Sequence, residues 1–182
     1  MGITIHKDIL SNINSFSKVF VIIALINLFL IVNVLSASGT SIISKKTGLP
    51  IPRFVSLKGN EVNLRRGPSL DYKIDWVYKR KHLPLMIVSE FGHWRQVTDF
   101  EGYTGWIYKD LLSGSRYIIV NNKETLLRNK ATFDSLGKAI LKREVIAKLI
   151  DCEGLWCFIR IRNMRGYVLA EDIWGISIDK RY

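Results

Sequence analysis

Residues 63–112 read NLRRGPSLDYKIDWVYKRKHLPLMIVSEFGHWRQVTDFEGYTGWIYKDLL, and the chain repeats the landmarks of this stretch once before it ends. Leu64-Arg65 recurs as Leu127-Arg128 at an offset of 63 residues, and Gly92-His93-Trp94 as Gly154-Leu155-Trp156 at 62. Gly105-Trp106-Ile107 recurs as Gly166-Tyr167-Val168 at 61, and Asp110-Leu111 as Asp172-Ile173 at 62. Four landmarks in one order, with offsets drifting by a residue or two, indicate two copies of one small module.

Each copy reads as short strands separated by turn residues. The first holds RFVSLK, EVNLR, DWVYK, PLMIVSEF, WRQVT and TGWIY, with turns at Lys58-Gly59-Asn60, Gly67-Pro68-Ser69, Phe91-Gly92-His93 and Phe100-Glu101-Gly102. The second repeats the plan with ETLLR, LGKAIL, VIAKLIDC, WCFIRI, GYVLA and a closing EDIWG. No stretch of the first module keeps a helical period, and Lys109-Asp110-Leu111-Leu112 suits a single helical turn that plugs the end of a barrel. The fold class expected is all-β, two tandem small barrels after an N-terminal signal segment. The boundaries follow as 1–37 signal, 38–51 flexible leader, 52–114 first barrel and 115–178 second barrel. Ser113-Gly114-Ser115 leaves a short linker, so a rigid tandem is expected.

The signal rests on Val19 to Leu35, seventeen residues without a charge, preceded by Lys7 and Lys18 and followed by the small residues Ser36, Ala37, Ser38 and Gly39. That layout fits a secretory signal cleaved after Ala37, or an uncleaved signal anchor, since the stretch approaches the lower limit for a membrane span. Residues 38–50, SGTSIISKKTGLP, lack apolar periodicity and read as flexible. The whole chain has 27 Lys and Arg against 16 Asp and Glu. Residues 1–37 hold Lys7, Lys18 and Asp8, so the remainder keeps 25 against 15, a formal charge of +10. Such an excess biases encounter toward anionic partners. With an export signal in front, these are envelope polymers, acidic lipid headgroups or an acidic protein surface, and not nucleic acid.

Cys152 and Cys157 flank Glu153-Gly154, a tight turn between two strands. Cross-strand neighbours lie within disulfide range, and in an oxidising compartment the two would pair. A zinc site is not expected, because further Cys or His ligands are lacking nearby.

The marks of the first module resemble the bacterial SH3 domain, a small Src-homology-3-like barrel of exported envelope proteins. They are Asn63-Leu64-Arg65 before Gly67-Pro68-Ser69, an aromatic at Tyr72, Trp94 three residues before Val97, then Gly105-Trp106-Ile107 and Leu111-Leu112. GLP-IPRF before the first module, with C-EGLWC and EDIWG in the second, is similar to a tandem form found in alphaproteobacterial exported proteins. The second copy departs from the pattern where Asn129-Lys130-Ala131-Thr132 replaces Arg66-Gly67-Pro68-Ser69. The resemblance implies a non-enzymatic module that binds cell-wall peptides, peptidoglycan stem peptides foremost. The alternative is an adaptor that docks on an envelope or host protein.

A small barrel leaves a shallow groove where aromatics give rigid contact area and basic groups pair with carboxylates. The expected ligand-binding residues are Arg65, Tyr72, Trp76, Tyr78, Lys79 and Arg80, with Arg66 and Lys81 beside them; ordinary strand packing would instead turn Trp76 or Tyr78 into the core. Trp94, Trp156, Trp106 and Tyr167 read as core or core-edge residues, and Trp174 as the closure of the second barrel. Asp99 and Glu101 read as a solvated pair beside a turn. No nucleophile, base and orienting acid can be assembled, and His82 and His93 stand on turns without neighbouring ligands. No catalytic residue, metal or cofactor is expected, membrane contact only through an uncleaved signal segment, and the chain is expected to be a monomer.

Overall fold

The computed structural model describes residues 42–176, so the expected signal segment over 1–37 lies outside the described residues. A hairpin comes first, β1 (Ile42–Ile43) and β2 (Pro50–Ile51). One antiparallel sheet follows: β3 (Arg53–Leu57), β4 (Val62–Arg65), β5 (Ile74–Tyr78), β6 (Pro84–Phe91), β7 (Trp94–Thr98), β8 (Thr104–Tyr108) and β9 (Leu112–Ser113). A second comprises β10 (Tyr117–Val120), β11 (Glu124–Arg128), β12 (Gly137–Lys142), β13 (Ile146–Glu153), β14 (Trp156–Ile161), β15 (Met164–Leu169) and β16 (Ile173–Trp174). The strands of the first lie in the order β5-β4-β8-β7-β6-β3-β9, and those of the second in β12-β11-β15-β14-β13-β10-β16, the same order seven numbers on.

The likeness extends to irregularities. Register shifts fall at Leu64/Arg65 and Ile87/Ser89 in the first sheet and at Leu127/Arg128 and Leu149/Asp151 in the second. Such bulges bend a strand and increase its twist, which lets a sheet of this size curl on itself. Single 3-10 turns, Lys109–Leu111 and Ala170–Asp172, precede the last strand of each sheet, the first where a helical turn was expected. No helix among the described residues is long and apolar enough to cross a membrane.

Each sheet wraps its own apolar cluster. Alternation along β4 sends Val62 and Leu64 inward, to meet Leu57, Leu85, Ile87, Val97 and Ile107. The second cluster gathers Ile118, Val120, Leu127, Cys157, Ile159 and Val168. The repeated glycines have a steric cause. A Cβ at Gly105 would stand 2.6 Å from Leu64 Cγ and 2.9 Å from the Arg65 carbonyl oxygen, and one at Gly166 would stand 2.4 Å from the Arg128 carbonyl oxygen. Here β8 crosses β4, and β15 crosses β11, too closely for any side chain.

The two barrels share a seam within one compact unit. Ile118, Ile119 and Val120 of β10 are all fully buried, because alternate residues face opposite cores: Ile119 joins the first cluster, its neighbours the second. Ile119 stands opposite both Ile146 and Trp174, and this row of three across β13, β10 and β16 lies against the first barrel. Trp174, expected to close the second barrel, packs instead on the core of the first. Its ring meets Phe54 of β3 edge-on, centroids 4.8 Å apart. Ser56 Oγ donates to the Ser115 carbonyl at 2.9 Å, and the His82 ring stacks on Tyr117 at 4.2 Å.

Residues 42–51 are not a flexible leader. The hairpin is tied to the first barrel by Glu90, which accepts hydrogen bonds from Ser44 Oγ, Thr47 Oγ1 (3.0 Å) and Arg53. The ties span 37 to 46 residues of sequence, which is why local composition gives no hint of them.

Candidate functional site

The loop between β4 and β5, residues 66–73, is built by an arginine. Arg65 Nη1 donates to the carbonyls of Leu70 (3.0 Å) and Tyr72 (2.7 Å), holding the loop as an arch beside the sheet. Gly67 leaves room under the arch: a Cβ there would lie 2.5 Å from the Tyr72 ring. Ser69 and Asp71 close the tip with hydrogen bonds of 2.8 and 3.2 Å. Between this arch, the turn ahead of Trp94 and the 3-10 turn lies a groove of about 300 Å³. Its apolar wall is Leu70, Trp94, Tyr108 and Leu111; Glu61, Asn63 and Arg65 supply its polar edge. Trp94 stands edge-on to Tyr108 with centroids 5.5 Å apart, and Leu70 is 73 % exposed, an apolar side chain held up to solvent by the arch.

The second barrel has the same arch with different contents. Arg128 Nη1 donates to the carbonyls of Phe133 (2.9 Å) and Ser135 (3.1 Å), the counterparts of Leu70 and Tyr72. Lys130 replaces Gly67, and Ser135 Oγ accepts the Lys130 N–H at 2.9 Å where the tyrosine ring sits in the first copy. The glycine and the large ring were exchanged together. Phe133 packs on Trp156 at 5.1 Å, and the Arg128 guanidinium lies 5.9 Å from the same ring. The aromatic floor is thereby capped, and the cavity of about 350 Å³ on this side is lined by Leu126, Ile140 and Leu169 without Trp156.

The six residues expected from sequence are dispersed. Arg65 lines the groove while holding its wall. Tyr72, half exposed, covers Gly67. Trp76 is also half exposed but stacks on Tyr103, rings 5.7 Å apart and 9° from parallel. Tyr78 is a correction: it is buried at 5 % exposure, its hydroxyl donating to Asp99 at 2.9 Å, and cannot meet a ligand. Strand alternation sends Tyr78 inward opposite Val62. Burial, then the Asp99 charge and the hydrogen bond, push the Tyr78 phenol far above its ordinary value. Lys79 is exposed. Arg80 is turned to the seam, where it pairs with Glu144 at 3.1 Å.

Asp99 is likewise no solvated charge. Buried at 5 % exposure, it also accepts the N–H groups of Glu101 (3.0 Å) and Tyr103 (2.9 Å) and so braces the β7–β8 turn. Sequence reasoning missed Leu70, Tyr108 and Leu111 as groove residues. The available signal was the pairing of two repeated landmarks, Leu64-Arg65 and Gly92-His93-Trp94, which the fold brings to the two sides of one groove. Among the described residues no group of three His, Cys, Asp or Glu comes together to hold a metal ion.

The barrel that carries the open groove matches the bacterial SH3 family model over residues 58–114. The match covers 57 residues, nearly all of the first barrel. Families of this kind bind and are generally non-enzymatic, in keeping with a site built of aromatic floor and polar rim. A search of curated proteins finds no match. Among solved structures, NlpC2 from Trichomonas vaginalis is similar over 68 % of this chain at 15 % identity, with a TM-score of 0.32. The chain spans about half of that one, 48 %, and a likeness this slight bears on neither fold nor function. The second barrel carries the disulfide Cys152–Cys157, across β13 and β14 with Cα atoms 4.0 Å apart, which is compatible with an extracellular location.

Proposed function

We propose that this protein is an exported, non-enzymatic envelope-binding protein whose first barrel, over 52–114, takes peptidoglycan stem peptide in the groove beneath Leu70. One observation carries the reading. The groove of the first barrel keeps its aromatic floor open, whereas the equivalent floor of the second is capped by Phe133. A stem peptide offers short apolar side chains beside free amino and carboxylate groups, and the groove presents Leu70, Trp94, Tyr108 and Leu111 to the former and Glu61 and Arg65 to the latter. The match of residues 58–114 to the bacterial SH3 family model supports the ligand class.

The test is co-sedimentation of the full chain with purified sacculi. Leu70→Asp places a charge on an exposed apolar wall without touching the core, and roughly tenfold weaker binding is expected, the scale of one well-placed contact. Tyr72→Ala, which loosens the arch, should weaken binding less. Absence of co-sedimentation, or equal binding by Leu70→Asp, overturns the reading.

A further inference from the structure

We infer that the concave face between the barrels is a second binding site, separate from the peptide groove, for a linear carboxylate-bearing polysaccharide. The cleft measures about 730 Å³, and its lining includes Arg80, Lys81, Lys148, Arg160 and Arg162 and no acidic side chain. Of these only Arg80 pairs with a carboxylate among the described residues, and its partner Glu144 lies outside the lining.

The arrangement of these cations is costly to the fold. Lys148 of β13 stands directly opposite Arg160 of β14, and Arg160 directly opposite Arg165 of β15, three positive charges in one row across adjacent strands. Like charges placed opposite one another destabilise a sheet. Two residues on from Arg160, in the turn between β14 and β15, Arg162 has φ +49°, a conformation that suits glycine or asparagine better than arginine. The field is felt nearby: the His82 imidazole, stacked on Tyr117 in the wall of the cleft, is held below its ordinary value by burial, then by Lys81 and Lys148. A row of cations that weakens its own sheet, two of them in a cleft whose lining holds five basic side chains and no acidic one, is complementary to a ligand that brings the anions.

The shape and chemistry select the ligand. Neighbouring strands are about 4.8 Å apart, so Lys148 and Arg160 in the cleft, with Arg165 beside Arg160 outside the lining, offer charges at roughly the repeat of a sugar in an extended chain. Tyr117, Ile161 and Met164 add apolar wall for the faces of sugar rings. A planar bilayer would meet only the rim of a concave cleft. The Cys152–Cys157 disulfide belongs to an oxidising compartment, where nucleic acid is not the usual polyanion.

The experiment titrates the full chain into fluorescein-labelled oligoguluronate and follows anisotropy. Lys148→Glu converts a repelling pair into an attracting one, so it should raise the melting temperature while weakening binding roughly tenfold. Arg162→Gly relieves the turn and should likewise be no less stable yet bind about threefold more weakly. Reversing two exposed lysines elsewhere, Lys45→Glu with Lys58→Glu, should change affinity less than either, and Leu70→Asp should bind as the wild type does. The proposal is overturned by absence of binding, by equal loss in the Lys45 and Lys58 control, or by equal binding of neutral dextran. It is also overturned by tighter binding of a single-stranded oligonucleotide or of phosphatidylglycerol vesicles, or by loss of binding in Leu70→Asp.

Discussion

The same cross-strand position is fastened by an ion pair in one barrel and by a covalent bond in the other. Glu90 stands opposite Arg95 on β6 and β7, and Cys152 stands opposite Cys157 on β13 and β14, each pair flanking the turn ahead of a repeated tryptophan. The two pairs are offset by 62 residues, the offset of the Gly-x-Trp landmark itself. Arg95 Nε lies 3.1 Å from Glu90 Oε1, and both side chains are buried. A disulfide uses up both of its side chains, whereas a carboxylate accepts several hydrogen bonds at once. Glu90 spends that spare capacity on Ser44, Thr47 and Arg53, and so holds the β1–β2 hairpin to the first barrel. What distinguishes the two solutions is reach: the ion pair recruits a third segment, and the disulfide locks only its own turn.

Breaking the ion pair should have the largest effect. Glu90→Ala leaves the buried Arg95 and the partly buried Arg53 without their anion and detaches the hairpin, a loss of about 3 kcal/mol on the scale of broken buried pairs. Hydrogen exchange should show residues 42–51 opening with it. Glu90→Gln, which keeps one acceptor oxygen while losing the charge and the second acceptor, should lose less. If Glu90→Ala melts with the wild type, the ion pair is not the fastening of the first barrel.

Next in size is the covalent counterpart. Replacing both Cys152 and Cys157 by Ser reopens a loop of sequence separation 5, and loop-closure entropy puts the cost at about 2 kcal/mol. The loss should appear as faster amide exchange in β13 and β14 and leave the Glu90 hairpin protected. Reduction of the wild type should reproduce it. Equal loosening of both barrels would mean that the seam, through Ile119 and Trp174, couples them into one cooperative unit.

Much of this architecture was legible because the landmarks have local causes. The glycine of Gly-Trp and Gly-Tyr is imposed by a crossing strand, Leu64 and Leu127 by an inward face, and the YIIV run by burial on both faces of β10. The cysteine pair was legible because its turn is two residues long. The hairpin at 42–51 was not, since its polar sequence is satisfied by a carboxylate more than forty residues away. Tyr78 and Trp76 read alike in sequence, two aromatics on one strand, yet only Tyr78 reaches the interior, where Asp99 waits for its hydroxyl. Arg80 looked like part of a basic ligand surface because its partner Glu144 belongs to the other barrel. The groove was half legible: its repeated Arg and Trp stood in plain view, but which residue the arch would carry over the tryptophan, Leu70 or Phe133, decides whether it is open.

The smallest effect is on acid stability, and it separates the two fastenings without any mutation. Burial alone would raise the Glu90 carboxyl, but the hydrogen bonds from Ser44, Arg53 and Thr47 and the Arg53 charge outweigh it and hold the group below its ordinary value. A depressed carboxyl binds its proton less readily folded than unfolded, so its contribution is complete above the unfolded value near 4.5 and is lost as pH falls through the lower folded value. The disulfide has no such titration. On lowering the pH from 7 to 3, exchange of residues 42–51 and of the β6–β7 turn should accelerate before that of β13 and β14. Glu124 is also held below its ordinary value, by its hydrogen bond to Lys142 and by that charge, but from an exposed site on β11. The difference between wild type and Glu90→Gln therefore isolates the buried pair: the melting temperatures should converge as the pH falls. Curves that stay parallel down to pH 3 would show that Glu90 holds the hairpin by hydrogen-bond geometry alone, and the contrast between the barrels would then be one of reach and not of charge.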